Sequence, residues 1–150
     1  MSEVIRISPR EAARLMEHEG YLYVDVRSVD EFRLGHPSGA YNAPLQHPED
    51  DQVVDNPDFM SVVTGCFPED TPLVVGCATG VRSLHAARRM LHAGYLNVKE
   101  LRPGYDGIRD PFGRVGESGW LAEGLPTEMQ APGDHRYETL LLRSEQGRST

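Results

Sequence analysis

Cys77 ends an apolar run, Leu73-Val74-Val75-Gly76, and is followed at once by Ala78-Thr79-Gly80-Val81-Arg82-Ser83. The stretch from Ser83 to Ala93 has helical spacing. The order is therefore strand, short loop, helix, with a thiol at the junction. In open α/β sheets ligands bind at the carboxyl ends of the strands. A helix N-terminus adds free N–H groups and a dipole that favour negative charge. A thiolate is such a charge, so a cysteine here is a candidate nucleophile. Gly80 can supply the unusual φ that turns N–H groups inward around one anion. Arg82 adds a permanent charge and a forked set of donors. The expected site is thus Cys77 as nucleophile, with Ala78, Thr79, Gly80, Val81, Arg82 and Ser83 forming the anion nest. The plain alternative makes Cys77 a buried strand-end residue and Arg82 a surface residue.

The second thiol, Cys66, precedes Phe67-Pro68 in a connection after a helix and has no such nest. Two cysteines are too few for a secreted disulfide framework. There is no Cys-x-x-Cys, and the six histidines are scattered, so no zinc motif exists. His85, Arg89 and His92 fall on one face of the Ser83–Ala93 helix, which reads as a solvated face.

The elements that must position Cys77 follow from alternating short apolar runs and amphipathic segments, the pattern of an α/β domain with a mainly parallel sheet. Strands are expected at Val4–Ile7, Leu22–Val26, Ala40–Ala43, Pro72–Gly76 and Asn97–Leu101. A first helix opens at Ser8-Pro9-Arg10-Glu11, where Ser8 caps, Pro9 suits the first helical position and Glu11 completes a capping box. A short helical turn covers Asp30–Leu34. Another helix begins at Pro57, with Phe59, Val62 and Val63 at helical spacing. In the Ser83–Ala93 helix Leu84, Ala87 and Leu91 are expected inward. A short helix follows Pro103-Gly104 through Ile108. The acidic stretch Gln46–Asp55 and the Gly-rich residues 112–119 read as loops. Residues 1–130 form the expected domain, and residues 131–150 a C-terminal tail without fixed order unless Leu140, Leu141 and Leu142 dock on the body.

The chain of 150 residues carries a formal net charge of −8, with 39% apolar and 25% charged residues. That suits a globular protein and argues against non-specific nucleic-acid binding, which needs clustered Lys and Arg. No apolar run is long enough to span a bilayer, and the N-terminus has no signal-like h-region, so a cytoplasmic location is expected.

Several motifs in order make the sequence resemble the rhodanese family, in particular its small single-domain members. They are Asp25-Val26-Arg27 with Asp30-Glu31-Phe32, Gly35-His36, Gly39-Ala40-Tyr41-Asn42-Ala43-Pro44, Cys77-Ala78-Thr79-Gly80-Val81-Arg82-Ser83, Ala93-Gly94-Tyr95 and Gly124-Leu125-Pro126. The resemblance runs over residues 5 to 127 and implies a five-stranded, mainly parallel sheet flanked by helices. It implies a sulfurtransferase (thiosulfate sulfurtransferase-like) in which Cys77 forms a persulfide held by the N–H groups from Ala78 to Arg82. The donor would be thiosulfate or another sulfane anion. The acceptor would be cyanide, a thiol or a protein thiol, and no metal or organic cofactor is needed. Asp25, Arg27, His36 and Asn42 match a scaffold motif and are expected to hold turns.

Two departures stand out. Pro37-Ser38 follows Gly-His where the family usually has an aliphatic residue. Ala78 and Thr79 are uncharged where members with good thiosulfate activity often carry basic residues, which counts against thiosulfate as the natural donor. The segment Pro111–Gly119 is longer than in the shortest relatives and forms either a flap or a surface loop. Related phosphatases and arsenate reductases use a loop one residue longer than the four residues between Cys77 and Arg82. A non-catalytic binding module usually lacks the cysteine. Both remain alternatives.

Overall fold

The computed structural model describes residues 3–148. In chain order the elements are β1 (Ile5–Ile7), α1 (Pro9–His18), β2 (Leu22–Asp25), α2 (Val29–Leu34), β3 (His36–Pro37), β4 (Tyr41–Asn42), β5 (Gln46–Glu49), β6 (Gln52–Asp55) and α3 (Phe59–Cys66). They continue with β7 (Leu73–Gly76), α4 (Arg82–His92), β8 (Val98–Leu101), β9 (Ile108–Arg109), β10 (Val115–Glu117), β11 (Thr127–Glu128), a single 3-10 turn (Gly133–His135) and α5 (Tyr137–Arg148). The five expected strands, now β1, β2, β4, β7 and β8, form one sheet in the order β1-β8-β7-β2-β4. Every pairing in it is parallel.

β7 is buried along its whole length because both sheet faces are covered. Side chains alternate across a strand. Leu73 and Val75 pack with Phe59, Val62, Ala86, Met90 and Leu140 from α3, α4 and α5. Val74 packs on the other face with Ala12, Tyr23, Phe32 and Trp120. After β2 the chain moves outward to β4; after β7 it moves the other way, to β8. The loops leaving β2 and β7 therefore part at the centre of the sheet, which is where such folds open a crevice.

Several local expectations change. Gln46–Asp55 is a hairpin rather than a loop, with β5 and β6 paired antiparallel. Asp50 and Asp51 turn it with φ of 48° and 63°, a left-handed region that short polar side chains tolerate. No helix forms from Pro103 to Ile108. The Tyr105 and Asp106 N–H groups donate out of the segment, to the carbonyls of Cys77 and Ala78 at 2.8 and 2.9 Å. Residues 112–119 contain β10, which pairs with β9 to make a small hairpin. On α4 the buried stripe is Ser83, Ala86, Ala87 and Met90. Leu84 and Leu91 are only half-buried, because small side chains let the helix lie close to the sheet. His85, Arg89 and His92 are exposed. Ser8 caps α1 by accepting from the Glu11 N–H, but the Glu11 carboxylate bonds to Arg14 instead of closing a capping box. The complete box is at α2, between Ser28 and Glu31.

The C-terminal segment packs on the body. Leu140 of α5 is fully buried in the core shared with α3, Leu141 is half-buried and Leu142 is exposed. Ser144 lies against Gly65 of α3, where a Cβ would come within 2.8 Å of its side chain.

Candidate active site

Cys77 sits one residue past the central strand β7 with 1% of its surface exposed. Its Sγ accepts from the Gly80 N–H at 3.2 Å and lies 3.2 Å from Ser83 Oγ. The loop between them turns through Gly80, whose φ is +90°. An added Cβ there would fall 2.1 Å from the Arg102 carbonyl oxygen, so the position excludes any side chain. Gly104 is held to glycine for the same reason, since a Cβ would meet the Ala78 carbonyl oxygen at 2.4 Å. The segment after β8 is thus pressed against the carbonyl side of the loop, which turns the N–H side toward the sulfur.

The other expected nest residues occupy distinct places. Ala78 is half-buried, Thr79 and Val81 are exposed, Gly80 is buried, and Ser83 is fully buried. Val81 gives α4 no side-chain cap, so its first-turn N–H groups have no acceptor from that residue. Arg82 opens α4 but does not point its fork at the sulfur. Nη1 and Nη2 donate to Oε1 and Oε2 of Glu31 at 2.7 and 3.0 Å. That pair joins the loop after β7 to the helix after β2, across the crevice. Burial pushes the Glu31 carboxyl up, but the Arg82 fork and the Ser28 N–H outweigh it and hold the group at about 2. The Glu31 hydrogen bonds and charge in turn raise the Arg82 guanidinium.

Ser83 connects the sulfur to a second buried group. Its Oγ donates a hydrogen bond to Glu100 Oε2. Glu100 lies on β8 with no exposed surface. Its Oε1 accepts from Arg6 Nε at 2.6 Å, and Arg6 is its direct cross-strand partner on β1. Arg6 also donates to the Gly80 carbonyl at 3.2 Å. Sequence reading quoted Glu31 only within the Asp30-Glu31-Phe32 motif and gave no site role to it, to Glu100 or to Arg6. A signal for Glu100 exists in the period of two along β8: it shares a face with the buried Val98, so its carboxyl enters an apolar layer beneath the start of α4.

The scaffold residues hold turns beside the site. Arg27 forks onto Asp25 at 3.0 and 2.8 Å, donates to the Gly35 carbonyl at 2.6 Å and lies 4.5 Å over the Tyr105 ring. Asn42 donates to the Asp25 and Arg27 carbonyls at 3.1 and 3.0 Å. His36 stacks on Phe32 and bonds its carbonyl oxygen through Nδ1 at 2.7 Å. The Pro37 departure pairs with Thr127 in the short β3–β11 ladder.

Cys66 is elsewhere, at the end of α3, half-buried and donating to the Leu140 carbonyl at 3.2 Å. Burial pushes its thiol above the ordinary value. A cleft of about 460 Å³ follows the outer wall of the sulfur loop, bounded by Arg6, Thr79, Gly80, Val81, His85 and Arg109 among others. A cavity of about 310 Å³ between α2 and the start of α5, with Arg33 and Arg136 in its wall, includes neither Cys77 nor its loop. No helix among the described residues is long and apolar enough to cross a membrane.

Comparison with known proteins gives concordant results. The Rhodanese-like domain family matches residues 8–110. Thiosulfate sulfurtransferase 16, chloroplastic, of Arabidopsis thaliana is 37% identical over 109 residues, which cover 73% of this chain and 81% of that protein. Senescence-associated protein DIN1 of Raphanus sativus is 38% identical over 97 residues, 65% of this chain and 53% of that protein. The chain thus spans about half the length of that relative. Among solved structures, Rv0390 from M. tuberculosis superposes with a TM-score of 0.71 at 27% identity, covering 86% of this chain and all of that one.

Proposed function

This chain belongs to the rhodanese-like domain family, and from that premise we propose that it is a sulfurtransferase that carries a sulfane sulfur on Cys77 as a persulfide. The observation that carries the reading is the placement of one buried sulfur at the central strand's carboxyl end, receiving the Gly80 N–H at 3.2 Å. The loop of Ala78, Thr79, Gly80, Val81 and Arg82, with Ser83 behind it, is the proposed binding element.

The reaction has two halves. The Cys77 thiolate attacks the outer sulfur of a donor such as thiosulfate. A new S–S bond forms to Cys77, the donor's S–S bond breaks, and sulfite leaves with the electron pair. The acceptor, cyanide or the thiolate of a small molecule or protein, then attacks the outer sulfur of the persulfide. The Cys77–sulfur bond breaks and the thiolate is regenerated. This is covalent catalysis of the ping-pong kind, and fixed N–H groups stabilise the sulfur anion in both halves. The reading locates the protein in the cytoplasm, where thiols stay reduced.

The test is to incubate the purified protein with thiosulfate and other sulfane donors and weigh it intact. The expected result is a mass gain of one sulfur on wild type, absent from Cys77→Ser and removed by cyanide. The four-residue spacing from Cys77 to Arg82 leaves a nest suited to a single sulfur atom rather than a tetrahedral oxyanion. Efficient aryl phosphate hydrolysis with no sulfur on Cys77 overturns the proposal in favour of a phosphatase.

A further inference from the structure

Glu100 is a fully buried carboxylate, and sulfur transfer as written above makes no use of it. Both of its oxygens accept: Oε1 from Arg6 Nε at 2.6 Å and Oε2 from Ser83 Oγ. A serine hydroxyl has one hydrogen. The hydrogen of Ser83 goes to Glu100, so the oxygen can only accept from its other neighbour, Cys77 Sγ, 3.2 Å away. That bond therefore requires hydrogen on the sulfur.

We propose that Glu100, acting through Ser83, is a positioning residue that holds unloaded Cys77 as a thiol donating its hydrogen to the Ser83 oxygen. The inference rests on the reading of Cys77 as the nucleophile and adds what restrains it. As long as Glu100 commands the Ser83 hydrogen, the hydroxyl cannot donate to a thiolate, and the carboxylate is a second negative charge close to it. Both effects oppose the anionic sulfur. The Gly80 N–H favours it. Once the sulfur is loaded, Sγ has no hydrogen to give, and its bond to Ser83 is lost.

The charges packed around this chain of bonds are mostly committed elsewhere. Arg6 on β1 is shared between Glu100 and the Gly80 carbonyl. Arg82 on α4 is forked onto Glu31 of α2. Arg102, just after β8, pairs with Glu117 of β10. Arg27, after β2, is forked onto Asp25. Tyr23 on β2 is a fully buried phenol, raised well above its ordinary value by burial and then by Asp25, so it is neutral. Glu100→Gln removes the carboxylate charge that meets Arg6 Nε, leaving Arg6 the more distant charge of Glu117, and frees the Ser83 hydrogen to turn toward the sulfur.

Iodoacetamide alkylation of Cys77, followed by mass spectrometry across the neutral to alkaline range, tests this. Because the thiolate is the reacting form, Glu100→Gln is expected to react about tenfold faster than wild type near neutral pH. Its rate profile should lie toward lower pH, and Glu100→Asp should fall back toward wild type. A merely structural role would not move that profile in a variant with an unchanged circular dichroism spectrum. An equal or slower rate in Glu100→Gln overturns the inference; a slower one would make Glu100 the base that takes the proton. If that variant does not fold, the infrared S–H band of Cys66→Ser protein decides. There Cys77 is the sole thiol. Its band should lie below the position of a free thiol and rise when Ser83→Ala is added. A band already at the free position overturns the inference. Sulfur loading of wild type is measured separately. Faster alkylation without any loading would remove the proposed function and leave this inference standing. Loading with unchanged alkylation would do the reverse.

Discussion

Arg82 and Glu31 clamp the two sides of the crevice together: Nη1 donates to Oε1 at 2.7 Å and Nη2 to Oε2 at 3.0 Å. One residue opens the helix after Cys77, and the other belongs to the helix after the neighbouring strand. The guanidinium thus orders the loop from outside rather than pairing with the sulfur. Arg82→Lys keeps the charge and loses the fork. Sulfur transfer is expected to fall in the order wild type, Arg82→Lys, Arg82→Ala, with Glu31→Gln also impaired. A double-mutant cycle on stability should give a coupling of about 1 kcal/mol, as for a partly exposed bidentate pair. Transfer rates that do not differ among the variants would show that the clamp has no part in loop order.

The same pair sets an acid limit. The Glu31 carboxyl is lowered on folding from 4.5 to about 2. A lowered carboxyl contributes stability that is present above its unfolded value and is lost as pH falls through the folded one. The contribution should therefore be full above about 4.5 and fade toward 2. Its size is held to roughly 1 kcal/mol by solvent screening of a side chain more than a third exposed. Urea denaturation of wild type and Glu31→Gln over that interval checks this: their stabilities should converge as the pH drops.

Cys77→Ser should abolish persulfide formation and leave the circular dichroism spectrum unchanged, since a hydroxyl cannot carry a transferable sulfur. Cys66→Ser should retain transfer. The Cys66 thiol donates to the Leu140 carbonyl, and burial keeps it in the thiol form. Loss of activity in folded Cys66→Ser protein would instead make it a resolving thiol.

Gly80→Ala should be damaging at a position with no catalytic atom on its side chain. A Cβ would meet the Arg102 carbonyl oxygen at 2.1 Å, and φ is +90°. The loop must shift, which carries the Gly80 N–H away from Sγ. The expected outcome is a stability loss of more than about 1 kcal/mol and reduced sulfur loading in the fraction that folds. Thermal melts and intact mass read the two effects.

Leu140→Ala tests whether the C-terminal helix belongs to the folded unit. Leu140 is fully buried against α3. Its truncation should cost about 2–4 kcal/mol, in a single transition with the rest of the chain. A separate early transition, or no change, would mean that α5 folds apart from the body.

The parts of this protein that sequence reading reached are those set by local order. An apolar run ending in Cys77, a glycine three residues on and a helix after Arg82 are all contiguous, and the structure keeps them so. Parallel strands announced themselves as apolar runs because both faces are buried. Expectations failed where distant backbone took over local donors, as at Tyr105 and Asp106, or where one pair of left-handed aspartates turned a loop into a hairpin.

Sequence alone determined the α/β class, where along the chain the five main strands fall and the position of the thiol, because each depends on residues a few places apart; their order in the sheet came from the tertiary structure. Tertiary structure decided what surrounds that thiol. Glu31 meets Arg82 across 51 residues, Arg6 meets Glu100 across 94, and Cys66 meets Leu140 across 74. Such pairs depend on strand register and helix docking. A shift of one residue along β8 would turn Glu100 to the opposite face of the sheet and leave Ser83 without its acceptor.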